Sequence, residues 1–205
     1  PMSLRAPDRP HARVVVLPRL ARDADAAMPA AATLHTWAPE QSLPVRLGLA
    51  VHRVLEWAAA SAARAAPITP LAEAAAAEFG LADARAIEAA ALRILTSEQC
   101  APFFDPERLA WAGNEVPVAS VASVASVVGG ADAPGAVLRI DRLVRTHGPA
   151  GAWWVLDYKL QGRPQDDPTQ RAQLAGYRRA VQALQPSETV RAAFITGQGE
   201  LIEVD

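Results

Sequence analysis

Between Val137 and Leu160 the sequence runs VLRIDRLVRTHGPAGAWWVLDYKL, two stretches of strand-forming residues joined by a Gly/Pro turn. Asp141 ends VLRID, and Asp157 and Lys159 stand two apart in WWVLDYKL. Side chains alternate along a strand, so Asp157 and Lys159 share one side, with the carbonyl of Tyr158 between them. If Asp141 lies on the neighbouring antiparallel strand, its carboxylate comes close to that of Asp157. Two carboxylates so placed repel each other unless a cation lies between them, and hard oxygen ligands with room for water suit Mg²⁺ or Mn²⁺. Such an ion offsets charge on a scissile phosphate and acidifies an attacking water. Lys159 can orient that water or balance the charge that develops on phosphorus. The chemistry these residues suit is phosphodiester hydrolysis.

Charged residues at alternate strand positions usually mark only a solvated face. Three further features weigh against that reading. The apolar run WWVL precedes DYK, as in a central strand whose end meets solvent, and charge at that end needs a reason. His52 stands in GLAVHRVLE, although a single helical histidine is more often a satisfied structural residue than a ligand. Gln173 and Tyr177 are four apart on a late helix and share a face, which an ordinary polar pair would also do. Arg171 and Arg178 flank them in sequence and are candidates to reach phosphate oxygens.

These residues need positioning elements. Residues 1–44 are rich in Pro and Ala with little periodicity, and we read them as an irregular segment, a candidate remnant of a preceding domain. Apolar spacing at Leu47, Val51, Val54, Leu55 and Ala58 predicts a helix over 45–65. Two more helices are expected, over 70–79 (opened by Pro70, closed by Gly80) and over 83–98 (capped by Asp83). NEVPVASVASVV alternates as a strand does and leads into the turn GGADAPG. AVLRIDRLVRT and AWWVLDYKL follow as strands. DDPTQRAQLAGYRRAVQAL is then a helix with Asp167 or Thr169 near its cap. RAAFITG and ELIEV close the chain as short strands. The order predicts an α/β sandwich with a mixed sheet, a helical part over 45–110 and a sheet core over 111–205.

Composition bounds the partners. The 205 residues are 51% apolar, enough for one core of ordinary size. No apolar run is long enough to span a bilayer and no signal-peptide pattern is present, so a cytoplasmic protein without membrane contact is expected. The single cysteine, Cys100, leaves no internal disulfide and no four-cysteine metal or iron–sulfur site. Net charge is −2, which argues mildly against a general nucleic-acid binder. From Leu138 to Gln198, however, nine Lys or Arg stand against five Asp or Glu, a local balance of +4. Positive charge gathers where the motif lies.

Taken together, the residues resemble the RecB-type nuclease family of the restriction-endonuclease-like PD-(D/E)xK superfamily. The resemblance rests on five segments in order: Gly48 to Glu56 (GLAVHRVLE), Glu115 in NEVPV, Ile140-Asp141-Arg142, Asp157-Tyr158-Lys159, and Gln173 to Tyr177 (QLAGY). It covers the chain from about residue 45 onward and implies a restriction-endonuclease-like core, a central mixed sheet flanked by helices, with an N-terminal helical region. It implies that His52, Asp141, Asp157 and the carbonyl of Tyr158 bind Mg²⁺ or Mn²⁺ and that Lys159 is catalytic. It implies supporting or DNA-contacting roles for Glu115, Gln173 and Tyr177, with Glu115 the loosest match. Two positions depart from the pattern. Leu138 or Val137 stands where a glycine often precedes IDR, and Gln170 stands where an aromatic often precedes the helix glutamine.

In that family the domain is usually the C-terminal nuclease of a UvrD-like helicase–nuclease in recombinational repair, acting as an exonuclease on single-stranded DNA ends. No GxxxxGK[ST] loop occurs in this chain, so the motor would lie elsewhere in the same or a partner chain. With one cysteine, the chain resembles the cluster-free type. The competing expectation is a catalytically silent DNA-binding or docking module of a repair helicase complex.

Overall fold

The sequence WWVLDYK is apolar at almost every position, as a strand covered on both faces must be, and it forms the centre of the sheet. In the computed structural model the described residues are 41–60, 67–119, 137–148, 151–160 and 162–204. The N-terminal segment up to residue 40, the predicted helix end near Ala65, and the GGADAPG turn lie outside them. All the described residues fall in one unit, Thr36–Asp205.

Helices α1 (Leu43–Ala60), α2 (Ile68–Glu78) and α3 (Arg85–Thr96) come first. Strands β1 (Leu109–Ala119), β2 (Val137–Thr146) and β3 (Trp153–Lys159) follow, then α4 (Pro168–Leu184), β4 (Val190–Thr196) and β5 (Leu201–Glu203). Among the described residues the sheet order is β1-β2-β3-β4-β5, which puts β1 at an edge. Neighbours are antiparallel except β3 and β4, which run parallel and are joined through α4. The mixed α/β core expected from the element order is present. No helix among the described residues is long and apolar enough to cross a membrane.

Alternation on β3 divides the core. Trp154, Leu156 and Tyr158 face the layer built by α1, α2 and α3, while Trp153 and Val155 face α4. On β4, Ala193 and Ile195 join the first layer and Ala192 and Phe194 the second. The sheet centre is therefore covered on both sides and held without freedom to slide.

Local signals set the helix ends, with small shifts from the sequence reading. Gly80 adopts φ +60, and Leu81 and Gly80 donate backbone N–H groups to Ala76 and Ala77, closing α2 with a Schellman arrangement. Asp83 accepts from the Arg85 N–H at 2.9 Å, but Ala84 holds the cap position and the helix begins one residue later than a cap at Asp83 predicts. Asp167 is the cap of α4, accepting from the N–H of Thr169 at 2.8 Å, with Pro168 in the first turn. β1 begins at Leu109, five residues earlier than the NEVPV alternation suggests.

Phe194 is fully buried under α4 and pairs in register with Asp157. Phe194→Ala should lower unfolding free energy by about 3–5 kcal/mol, read as a lower urea midpoint at unchanged slope.

Candidate active site

The ladder between β2 and β3 ends at Arg142 and Leu156, one residue short of the two aspartates. There the Asp141 side chain replaces it: Oδ2 accepts the Tyr158 backbone N–H at 2.8 Å. Asp157 is 4% exposed, and its Oδ2 lies 2.6 Å from Nζ of Lys159, which is 25% exposed. The pair sharing one side of β3 is thus an ion pair with its ammonium end toward solvent.

His52 reaches the same point from α1, whose Ala50, Val51, Val54 and Leu55 are buried in the helical layer. Its Nε2 is 3.0 Å from the Tyr158 carbonyl. A carbonyl only accepts, so the hydrogen bond assigns the ring proton to Nε2. Nδ1 then faces Asp141 Oδ2 at 3.8 Å, lone pair toward carboxylate. The Tyr158 ring packs against His52 edge-on, centroids 5.1 Å apart.

Electrostatics match this crowding. Burial pushes the Asp141 carboxyl up to about 6, against the pull of the Tyr158 N–H and the Lys159 charge. Burial also raises Asp157 to about 6, reinforced by the charge of Asp141 and opposed by Lys159. Burial lowers the His52 pKa, favouring the neutral ring, against the Tyr158 carbonyl and Asp157.

Glu115 stands opposite Asp141, between the register pairs Asn114↔Arg142 and Val116↔Ile140. It has φ +50, the one positive φ among the described non-glycine residues, a conformation a side chain adopts only when its surroundings impose it. Its carboxylate lies 3.6 Å from Arg139. On α4, Gln173 Nε2 donates to the Tyr177 hydroxyl at 2.7 Å. Tyr177 is buried, so it supports Gln173 rather than offering a free contact surface. The charges of Asp157 and Asp141 help to raise its hydroxyl pKa, after burial, which places this pair within reach of the site's field. Arg171 and Arg178 do not share that face. At 100° per residue Gln173 lies roughly 160° round the helix from Arg171, and Arg178 within about 20° of it.

The sequence reading gave Arg142 no role, yet it is 3% exposed. Nε donates to the Phe103 carbonyl at 2.9 Å, and Nη1 to Asn114 Oδ1 at 2.6 Å. Asn114 in turn donates to the carbonyl of Glu56 on α1 at 3.3 Å. The guanidinium lies 4.7 Å over the Phe104 ring, which stacks at 6.4 Å on Tyr158. The strand carries Arg139, Arg142 and Arg145, and Arg142 alone has the parity opposite to Asp141, which was the available signal.

The family model for the PD-(D/E)XK nuclease superfamily matches residues 28–202. The chain belongs to that superfamily. No curated protein matches the chain. The mixed five-stranded sheet with four α-helices is consistent with the superfamily's restriction-endonuclease-like core.

Superfamily nucleases typically use divalent metals, and the residues present fit one. Two buried carboxylates need counter-charge, and an imidazole lone pair faces one of them. Among the described residues, no three His, Cys, Asp or Glu side chains are already gathered round one point. The fourth donor is a backbone carbonyl, now bonded to His52, and Lys159 supplies the cation beside Asp157.

The folded chain binds more protons at Asp141 and Asp157 than the unfolded chain between about pH 4 and pH 6. Their contribution to stability therefore falls as pH rises through that window and stays low above it. Mn²⁺ should recover it: at a hundredfold excess over Kd the melting temperature should rise by about 5–10 °C at pH 7.5 and by less at pH 5. Thermal melts with and without Mn²⁺ check this; a pH-independent rise, or one kept by Asp141→Asn/Asp157→Asn, contradicts it.

Proposed function

We propose that this chain is a divalent-metal-dependent deoxyribonuclease of the RecB type, cutting single-stranded DNA ends as an exonuclease, with residues 45–205 as the nuclease domain. The observation that carries the proposal is the convergence of His52, Asp141, Asp157 and the Tyr158 carbonyl beside Lys159. A bound Mg²⁺ or Mn²⁺ supplies counter-charge to the scissile phosphate and acidifies the attacking water. Asp141, Asp157, the Tyr158 carbonyl and His52 are the groups to hold it. The Tyr158 N–H fixes the rotamer of Asp141, and burial keeps His52 neutral and able to donate a lone pair. Lys159, partly open to solvent, is placed to meet a phosphate oxygen or orient the water. Glu115 and Arg139 extend the charged row across β1 and β2. Gln173, with Tyr177 behind it, is the α4 group to contact DNA, and Arg171 and Arg178 offer phosphate contacts along the other side of that helix.

The ordered motifs also support a place as the cytoplasmic nuclease module of a helicase–nuclease in recombinational repair, with the motor in the same or a partner chain and no iron–sulfur cluster. The test is cleavage of single-stranded DNA by the purified chain. Asp157→Ala and Lys159→Ala should each reduce metal-dependent cleavage by at least about a hundredfold with unchanged melting behaviour at acid pH. Cleavage that survives both substitutions, or needs no divalent ion, sinks the assignment.

A further inference from the structure

Trp111 is the one exposed Trp, Tyr or Phe among the described residues, at 44%. It lies on the edge strand β1, the same strand that carries Glu115. Its neighbours hold it in a defined pose. The ring sits 5.5 Å from that of Trp153 at an interplanar angle of 53°, and Arg145 lies between the two tryptophans in register. Gly113 leaves the space beside the indole: a Cβ there would come within 2.6 Å of Trp111 Cη2 and 2.9 Å of Val116 Cγ2. The indole therefore leans along β1 over Gly113, toward Glu115, in space that any side chain at 113 would block. From Gly113 to Glu115 is two residues of strand, about 7 Å, or roughly two nucleotides at the stacked spacing of a DNA strand. Arg145 is paired with Glu188 at 2.9 Å, so the patch offers a π-face rather than a free charge.

We propose that Trp111 is a base-stacking platform for single-stranded DNA, seated by Gly113 and Trp153 on the edge strand leading to the acidic row. This rests on reading that row as a nuclease site. A stacked base is accepted without regard to sequence, because every base presents a π-face. A duplex keeps its bases stacked inside, so the platform favours a frayed or single-stranded end.

The test measures anisotropy of a labelled single-stranded oligonucleotide with the full chain in EDTA, beside cleavage in Mg²⁺ or Mn²⁺. Trp111→Ala should weaken binding by about fivefold to a hundredfold, and Trp111→Phe should restore most of it. The salt dependence of binding should keep its slope, since stacking releases no counterions. An abasic nucleotide moved along the strand should weaken wild-type binding at one position, within about three nucleotides of the scissile phosphate. This arm needs no variant to fold. Unchanged affinity in a folded Trp111→Ala chain, which would make the patch a protein contact, overturns the proposal; so does equal tolerance of an abasic site everywhere. Trp111-dependent binding with no metal-dependent cleavage by the wild type leaves the platform standing and refutes the nuclease reading.

Discussion

Two carboxylates buried side by side at the end of a central strand are the constraint on which the rest of this structure depends. Asp141 and Asp157 both lose solvation there, and the charge of Asp141 adds to the burden on Asp157. A flexible sheet would relieve this by turning one of them to water. This sheet is not free to do so, because β3 and β4 are covered by α1–α3 on one face and by α4 on the other. Packing of apolar side chains offsets the unfavourable placement of charge, and the site inherits its preorganisation from that packing.

Tyr158 stands at the point where the charges meet. Its N–H holds Asp141, its carbonyl holds His52, and its ring lies between His52 and Phe104. Arg142 completes the support from behind, without a carboxylate partner among the described residues. It satisfies its donors on the Phe103 carbonyl and Asn114, and Asn114 ties back to the end of α1. The helical layer is therefore part of the site: the core contacts of Val51, Val54 and Leu55 decide where the imidazole arrives.

Much of this was legible in the chain. The run WWVL announced a strand buried on both faces, and two-residue spacing placed Asp157 and Lys159 together, as their ion pair bears out. Of the two caps expected for α4, Asp167 or Thr169, Asp167 starts the helix. Other features were illegible for physical reasons. Arg171 and Arg178 flank Gln173 and Tyr177 in sequence, while helical geometry sends them to another side of α4. Tyr177 stood between a supporting and a DNA-contacting role because nothing local says which polar position of an amphipathic helix is buried. Arg142 read as one basic residue among nine because burial of a cation is decided by carbonyls and rings from distant segments.

By itself, the sequence determined the kinds of donor, their order, and their side of each strand, because alternation and helical period are properties of a few consecutive bonds. Only the tertiary structure decided that His52, 106 positions before Tyr158 in the chain, delivers its ring to that residue's carbonyl. It alone decided that Glu115 occupies the left-handed region opposite Asp141, and that both aspartates lose water together. The strength of a buried charge depends on everything packed around it, and that packing is a property of the whole fold.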